Sequence, residues 1–324
     1  MIPTRAESNE IVTTRFLEAP RELVYRVFTD PTHVSRWWGP QGFRTTTHAH
    51  DLRIGGEWRF TMHGPDGTDW PNRIRYAEIV PNERLAYDHD DGSDAADARR
   101  FKNLVTFAEA GRGTLVTMRA RFASAEECEA TKKFGAEQGG RDTLARLDGV
   151  VSEANGAKTD PEVLTISRML DAPAELVYRV HTDATHLARW FGPKGLSIVK
   201  CEIDLRPGGT FHYGMATPDG NTMWGKWTFL EVTPGSRLVT VTSFSDANQG
   251  ITRHPMAADW PLEMLNTATF EDVGGKTRLT MRMSPLNALE NERSMFAKSH
   301  SNMEQGWSGT FQALDAYLAE VSKG

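Results

Sequence analysis

The stretch Ala19-Pro20-Arg21-Glu22-Leu23-Val24-Tyr25-Arg26-Val27 decides the architecture, because it returns as Ala172-Pro173-Ala174-Glu175-Leu176-Val177-Tyr178-Arg179-Val180. The copies stand 153 residues apart. At that offset Trp37 meets Trp190, Gly39-Pro40 meets Gly192-Pro193, Gly55-Gly56 meets Gly208-Gly209, and Pro65-Asp66-Gly67 meets Pro218-Asp219-Gly220. So long a period marks a duplicated domain, since solenoid units run about 20–50 residues. Each half is thus a control for the other. What both keep is expected to be architectural; what one alone carries is neutral or particular to that half.

The 324 residues exceed one ordinary core and suit two domains of about 100–200 residues each. The expected domains are 8–152 and 163–322, joined by the polar linker 153–162. With 39% hydrophobic and 25% charged residues the composition is that of a globular protein. A net charge of −6 disfavours nucleic acid, which calls for a concentrated basic surface. Cys128 and Cys201 fall one in each half at non-equivalent positions, which leaves no intradomain disulfide and fits no zinc motif. The start, Met1 to Glu7, lacks the apolar core of a signal peptide. No run of about 18 apolar residues occurs, so no membrane span and a cytoplasmic location are expected.

Ile11 to Leu17 reads as a strand. Pro20 suits the first turn of a helix carrying Leu23, Val24, Val27 and Phe28 on one face. Asp30-Pro31 breaks it, and Thr32 to Trp38 forms a second short helix stopped by Gly39-Pro40. Trp58, Phe60 and Met62 then alternate with polar residues at the period of a strand. Further strands are predicted near 73–80, 84–90, 102–109 and 114–122. Ser124 to Glu127 has capping-box spacing for a helix that Gly135 ends, and a longer helix follows to about Val151. In the second half Phe211, Tyr213 and Met215 alternate likewise. Trp307, Thr310, Phe311, Leu314, Tyr317, Leu318 and Val321 make one stripe of its final helix. Each half is therefore an α+β domain: about six to seven antiparallel strands, two short helices after the first strand, and a long C-terminal helix.

This order resembles the START-like (helix-grip, SRPBCC) superfamily, in particular its Aha1-type branch, named for the activator of the Hsp90 ATPase. The resemblance rests on Ala19-Pro20, Asp30-Pro31, Trp37-Trp38-Gly39-Pro40, the run Asp51 to Phe60, Gly64-Pro65-Asp66-Gly67 and the run Glu78 to Leu85. In the second half it rests on Asp183, Trp190-Phe191-Gly192-Pro193, the run Asp204 to Gly209, Pro218-Asp219-Gly220, the run Pro234 to Leu238, and Glu304 to Trp307. It implies a curved sheet gripping the terminal helix with a wedge between them. It implies no single activity: such folds serve as lipid carriers, polyketide cyclases and aromatases, receptors and co-chaperones, and many bacterial members of the branch have no assigned role. The two domains are expected to pack as an intramolecular pseudo-dimer.

Two departures stand out. The first copy has Gly139-Gly140 where the second has Gly306-Trp307, which predicts a looser or larger cavity, or a bent helix, in the first half. The offset also grows from 153 to 163 between Arg84 and Phe107, placing ten extra residues around Phe244–Pro261 in the second half, over the expected pocket mouth.

The candidate ligand contacts are the aromatic strand faces, Trp58, Phe60, Met62 and Tyr76 with Ile74 in one copy, and Phe211, Tyr213, Met215, Trp227 and Phe229 in the other. Trp307 and Phe311 face them from the helix. The same residues serve as core whether or not a cavity opens, each large side chain contributing roughly 1.5–3 kcal/mol on burial. His48 and His50, two residues apart on a strand, could begin a metal site, but no third ligand is evident. Asp51 with Arg53, and Asp204 with Arg206, precede both Gly-Gly turns and are expected to be turn-stabilising ion pairs. His63, Arg75, Asp90, His212, Asp246 and His254 could titrate, yet none recurs as a matched pair, and solvent-facing positions are expected. No phosphate loop, nucleophile motif or cofactor motif is present. The sequence thus favours a non-enzymatic binder of a small hydrophobic molecule. The alternatives are a cyclase-type enzyme and a chaperone-type partner protein.

Overall fold

The computed structural model describes residues 2–93, 100–156, 160, 162–192 and 195–322. The chain divides into two units, Pro3–Lys158 and Thr159–Gly324. In the first, β1 (Glu10–Leu17) leads to helices α1 (Arg21–Thr29) and α2 (Pro31–Trp37). A meander follows: β2 (Arg44–His50), β3 (Glu57–His63), β4 (Asp69–Val80), β5 (Arg84–Asp90), β6 (Arg100–Ala110) and β7 (Gly113–Arg121). Helices α3 (Ala125–Lys133) and α4 (Ala136–Asn155) end the unit. The antiparallel sheet runs β1-β7-β6-β5-β4-β3-β2, so the first strand closes against the last. The second unit repeats this with β8 (Leu164–Leu170), α5 (Ala174–Thr182), α6 (Ala184–Trp190), β9 (Ser197–Ile203), β10 (Thr210–Ala216), β11 (Thr222–Thr233) and β12 (Arg237–Ser245). Then come β13 (Ile251–Thr252), β14 (Glu263–Val273), β15 (Lys276–Leu286), α7 (Glu290–Lys298) and α8 (His300–Val321). Here the order is β8-β15-β14-β12-β11-β10-β9, with β13, part of the extra residues, added onto β12.

The repeated residues carry repeated physical work. Asp30 accepts from the Thr32 backbone N–H at 2.8 Å, and Asp183 from that of Thr185 at 2.7 Å, so each starts the second short helix where the first ends. Pro20 and Pro173 stand at the N-cap, one residue earlier than a first-turn proline. Trp37 Nε1 donates to the Val27 carbonyl at 3.1 Å and Trp190 Nε1 to that of Val180 at 2.9 Å, pinning the two helices together. Ser124 caps α3 as expected, accepting from the Glu127 N–H at 3.2 Å. Pro193, residues 157–159 and Pro161 lie outside the described residues.

The two glycines of each Gly-Gly turn are needed for different reasons. Gly55 and Gly208 hold φ of +77° and +78°, where a side chain is strained. A Cβ on Gly56 would lie 2.3 Å from the Asp51 carbonyl oxygen, and one on Gly209 only 2.0 Å from that of Asp204. The turn is thereby drawn onto the neighbouring strand: Gly55 N–H donates to the Tyr76 carbonyl and Gly208 N–H to that of Phe229, both at 2.7 Å. The exposed pairs Arg53–Asp51 and Arg206–Asp204, each 2.7 Å, close the turns as expected.

One repeated contact was not legible in the alternation of residues. Arg15 on β1 pairs with Asp148 on α4 at 2.6 Å, and Arg168 on β8 pairs with Asp315 on α8. Each pair ties the terminal helix to the first strand over a core of buried apolar side chains.

Gly56→Ala and Gly209→Ala are each expected to destabilise their unit by at least about 2 kcal/mol, because backbone oxygen cannot yield to the new methyl. Gly67→Ala, with φ +84° but nothing within 4 Å, should cost only about 1 kcal/mol. Thermal unfolding of the three variants checks this ordering.

Candidate functional site

In the second unit α8 stands off the sheet and leaves a cavity of about 240 Å³. Alternate residues of the strands supply its floor: Tyr213 from β10, Trp227 from β11, Thr240 and Thr242 from β12, and Met264, Asn266 and Ala268 from β14. His181 of α5 and Trp190 of α6 stand at one side, and Met303 and Trp307 of α8 form the roof. Phe244 at the end of β12, and Trp260 and Pro261 after it, also line the cavity, so the region that holds the ten extra residues borders it as expected. That segment is anchored: Arg253 pairs with Glu292, Asp259 accepts from Asn291 Nδ2 at 2.8 Å, and Trp260 meets Phe296 of α7 at 6.0 Å. His254 lies between Phe244 and Trp260, 4.6 and 5.9 Å from their ring centres, and burial lowers its pKa.

Strand register explains why the space opens here. Tyr76 lies opposite Tyr87 in the first unit, whereas Phe229 lies opposite Thr240 in the second. Likewise Ile74 faces His89 where Trp227 faces Thr242, and Leu85 faces Val105 where Leu238 faces Ala268. Smaller side chains on β12 and β14 empty a volume that rings fill in the first unit. There Tyr76 and Tyr87 approach to 6.4 Å, and His89 meets Phe60 at 6.0 Å and Phe101 at 4.8 Å.

Where α4 meets β1 the first half is close-packed, against the expectation of looseness at its paired glycines. A Cβ on Gly140 would lie 2.8 Å from Thr13 Oγ1, so the glycine lets α4 settle close to β1. The helix continues unbroken from Ala136 to Asn155 through both glycines. Trp307 lines a space instead of filling it.

Of the residues singled out in the sequence, Tyr213, Trp227 and Trp307 line the cavity. Phe211, Phe229 and Phe311 are buried in the surrounding core, and Met215 is buried against Gly192. Trp58, Phe60 and Tyr76 are buried in the core of the first unit, with Met62 packed on it and the Trp58 and Phe60 rings stacked at 4.1 Å. The alternation missed His181. It takes the place of Phe28, so aligning the two copies at an offset of 153 exposes the exchange.

His181 is 8% exposed, with its ring 4.6 Å from Trp190 and 5.2 Å from Phe270. Its Nδ1 lies 2.7 Å from the Val177 carbonyl oxygen, which can only accept, so Nδ1 carries the proton. Burial lowers its pKa from 6.5 to about 4, and burial raises that of Tyr213 to about 12, so both are neutral at pH 7. Asn266 Nδ2 donates to Thr242 Oγ1 at 2.8 Å. Among the described residues lining the cavity there is no Asp, Glu, Lys or Arg.

Other candidates are placed differently. The register of β2 shifts between Thr47 and Ala49, and this bulge at His48 sends the two histidines to opposite faces. His48 Nε2 meets Thr61 Oγ1 on the exposed side, while His50 Nε2 meets the Tyr76 hydroxyl at 3.1 Å beside the core. Asp90 and His212 are buried, against expectation. Asp90 satisfies the buried Arg73 guanidinium at 3.0 Å, and His212 Nε2 lies 3.0 Å from the Asp246 carbonyl with its ring stacked on Trp224. Arg75 pairs with Glu57 on the surface, His63 lies 2.6 Å from Asp69, and Asp246 is exposed, closing its own loop. No group of three His, Cys, Asp or Glu that could hold a metal occurs among the described residues, and no described helix is long and apolar enough to cross a membrane.

An antiparallel sheet around a terminal helix, twice over and with an interior chamber in one copy, defines a tandem helix-grip protein. The chain belongs to the family described as Activator of Hsp90 ATPase homolog 1-like protein, which it matches over residues 18–152 and 171–319. Similar solved structures include protein NE0264 from Nitrosomonas europaea, 29% identical, covering 52% of this chain and 100% of its own, with a TM-score of 0.42. Protein CV1439 from Chromobacterium violaceum is 28% identical, covering 44% and 96%, with a TM-score of 0.38. The di-domain ARO/CYC BexL from the BE-7585A biosynthetic pathway covers 95% and 98% at 14% identity and a TM-score of 0.36. No curated protein matches the chain.

The neutral His181 predicts an acid-sensitive second unit. Its folded pKa, about 4, lies below its ordinary value of 6.5, so the unfolded chain binds the proton more readily. The contribution is complete above pH 6.5 and lost as pH falls towards 4, on the order of 3 kcal/mol. In His181→Phe, unfolding stability relative to the parent should therefore rise by that order between pH 7 and pH 4. Denaturant unfolding followed by amide NMR signals of the second unit measures it, and a pH-independent difference would contradict it.

Proposed function

We propose that the second unit binds a small, neutral, largely aromatic molecule in the chamber between its sheet and α8. The observation that carries this is an internal space of about 240 Å³ walled by Trp190, Tyr213, Trp227, Trp260 and Trp307 and without a charged lining side chain among the described residues. A dry apolar cavity of about 150 Å³ takes up benzene, so this larger one has room for a larger aromatic guest. A carboxylate or ammonium guest would be stripped of water with no opposite charge to meet it, at a cost of several kcal/mol. The only titratable lining side chains described, His181 and Tyr213, are both neutral at pH 7, which favours binding over acid–base turnover of the cyclase type. The family takes its name from an activator of the Hsp90 ATPase, but a concave aromatic space suits a small guest better than a protein surface.

The test uses N-phenyl-1-naphthylamine, a neutral dye whose fluorescence rises in apolar surroundings. The wild-type chain should bind it, and Thr240→Tyr, which places there the ring found at Tyr87 of the first unit, should weaken binding at least about tenfold with the thermal transition retained. Absence of dye binding to the wild type, or equal binding by the variant, would remove the proposal.

A further inference from the structure

Resting on that reading, we infer that the guest of the second unit carries a hydroxyl group, as in a phenol, which donates its proton to Nε2 of His181. The first unit places Phe28 at this station, among its buried core side chains. The second places an imidazole there, 8% exposed and bordering the chamber. Because Nδ1 donates to the Val177 carbonyl one helical turn back at 2.7 Å, the proton position is fixed and the lone pair lies on Nε2. Nε2 belongs to the edge of the ring farthest from the backbone, the edge that a side chain reaching a cavity from α5 presents. Among the described residues no protein donor is recorded for it; the flanking groups are the rings of Trp190 and Phe270. Nε2 is not among the sealed, unpartnered polar atoms, so water can satisfy it in the free protein, and a guest that displaces that water without donating would leave it unpaired, at about 1–3 kcal/mol. Phenylalanine at the same station shows that the fold does not require the nitrogen. A guest that takes the place of water at Nε2 has to supply the donor, and a neutral hydroxyl does so with a proton to give and no charge to bury. The ring is held neutral by its burial, so Nε2 stays an acceptor at pH 7.

The experiment compares 1-naphthol with 1-methylnaphthalene, guests of nearly equal shape, on wild-type protein and His181→Phe. The ratio of the two affinities should shift against the phenol by about tenfold in the variant, while 1-methylnaphthalene binding persists and shows the chamber intact. A ratio unchanged by the substitution overturns the inference. Should His181→Phe not fold, 15N NMR of His181 in the wild type decides: its Nε2 resonance should move on addition of 1-naphthol and not of 1-methylnaphthalene, and an unmoved resonance overturns the inference. If N-phenyl-1-naphthylamine binds while these signatures fail, only the hydroxyl assignment falls. If no aromatic probe binds, the ligand-binding reading falls with it.

Discussion

In both units a helix at the end of the chain is held to the strand at its beginning by an arginine–aspartate pair, Arg15 with Asp148 and Arg168 with Asp315. The first pair is mostly shielded from water, with side chains 15% and 20% exposed, so screening weakens it less than an open surface pair. The tether matters through its position. It fixes one edge of the helix over the sheet, and the side chains between them then decide whether the interior is solid or hollow. With Gly140 against Thr13 the helix settles; with Trp307 in that register it stands away.

From this frame the two copies diverge by exchange of volume, leaving the path of the backbone alone. Tyr87, His89 and Val105 fill the first interior, and Thr240, Thr242 and Ala268 open the second. The exchange lies on the two strands that face the helix across the middle of the sheet, where every lost ring atom becomes empty space because the flanking strands are fixed by their ladders. Phe244 at the end of β12, against which β13 pairs, and Trp260 beyond it then line the chamber beside these strands. Duplication thus yields two copies whose matching strands carry side chains of different volume, the second of them with a room inside it.

Much of this was legible in the residues. The repeat, the capping aspartates, the Gly-Gly turns and the alternating aromatic strands each follow from local chemistry, and strand limits such as 84–90 agree with the structure. The hollow was not, because it depends on which side chains meet across strands. Gly139-Gly140 suggested room, yet a small residue on a gripping helix brings the helix closer. The pair His48 and His50 looked contiguous until a bulge turned one of them over. Asp90 looked exposed because its partner, Arg73, lies on another strand. His181 could have been found by matching the copies residue by residue; what hid it was its place in a helix whose apolar face was already explained.

Asn103 in the first unit and Asn266 beside the chamber are the same position of the repeat. Asn266 gives a proton to Thr242, but the first copy has His89 there, and both the Asn103 amide nitrogen and the Tyr87 hydroxyl are enclosed without a counterpart. The first copy therefore keeps two sealed polar groups and bears the desolvation cost of both. Evolution towards a sturdier scaffold has its easiest material at these two sites, whereas in the other copy the same station is constrained by whatever it shelters.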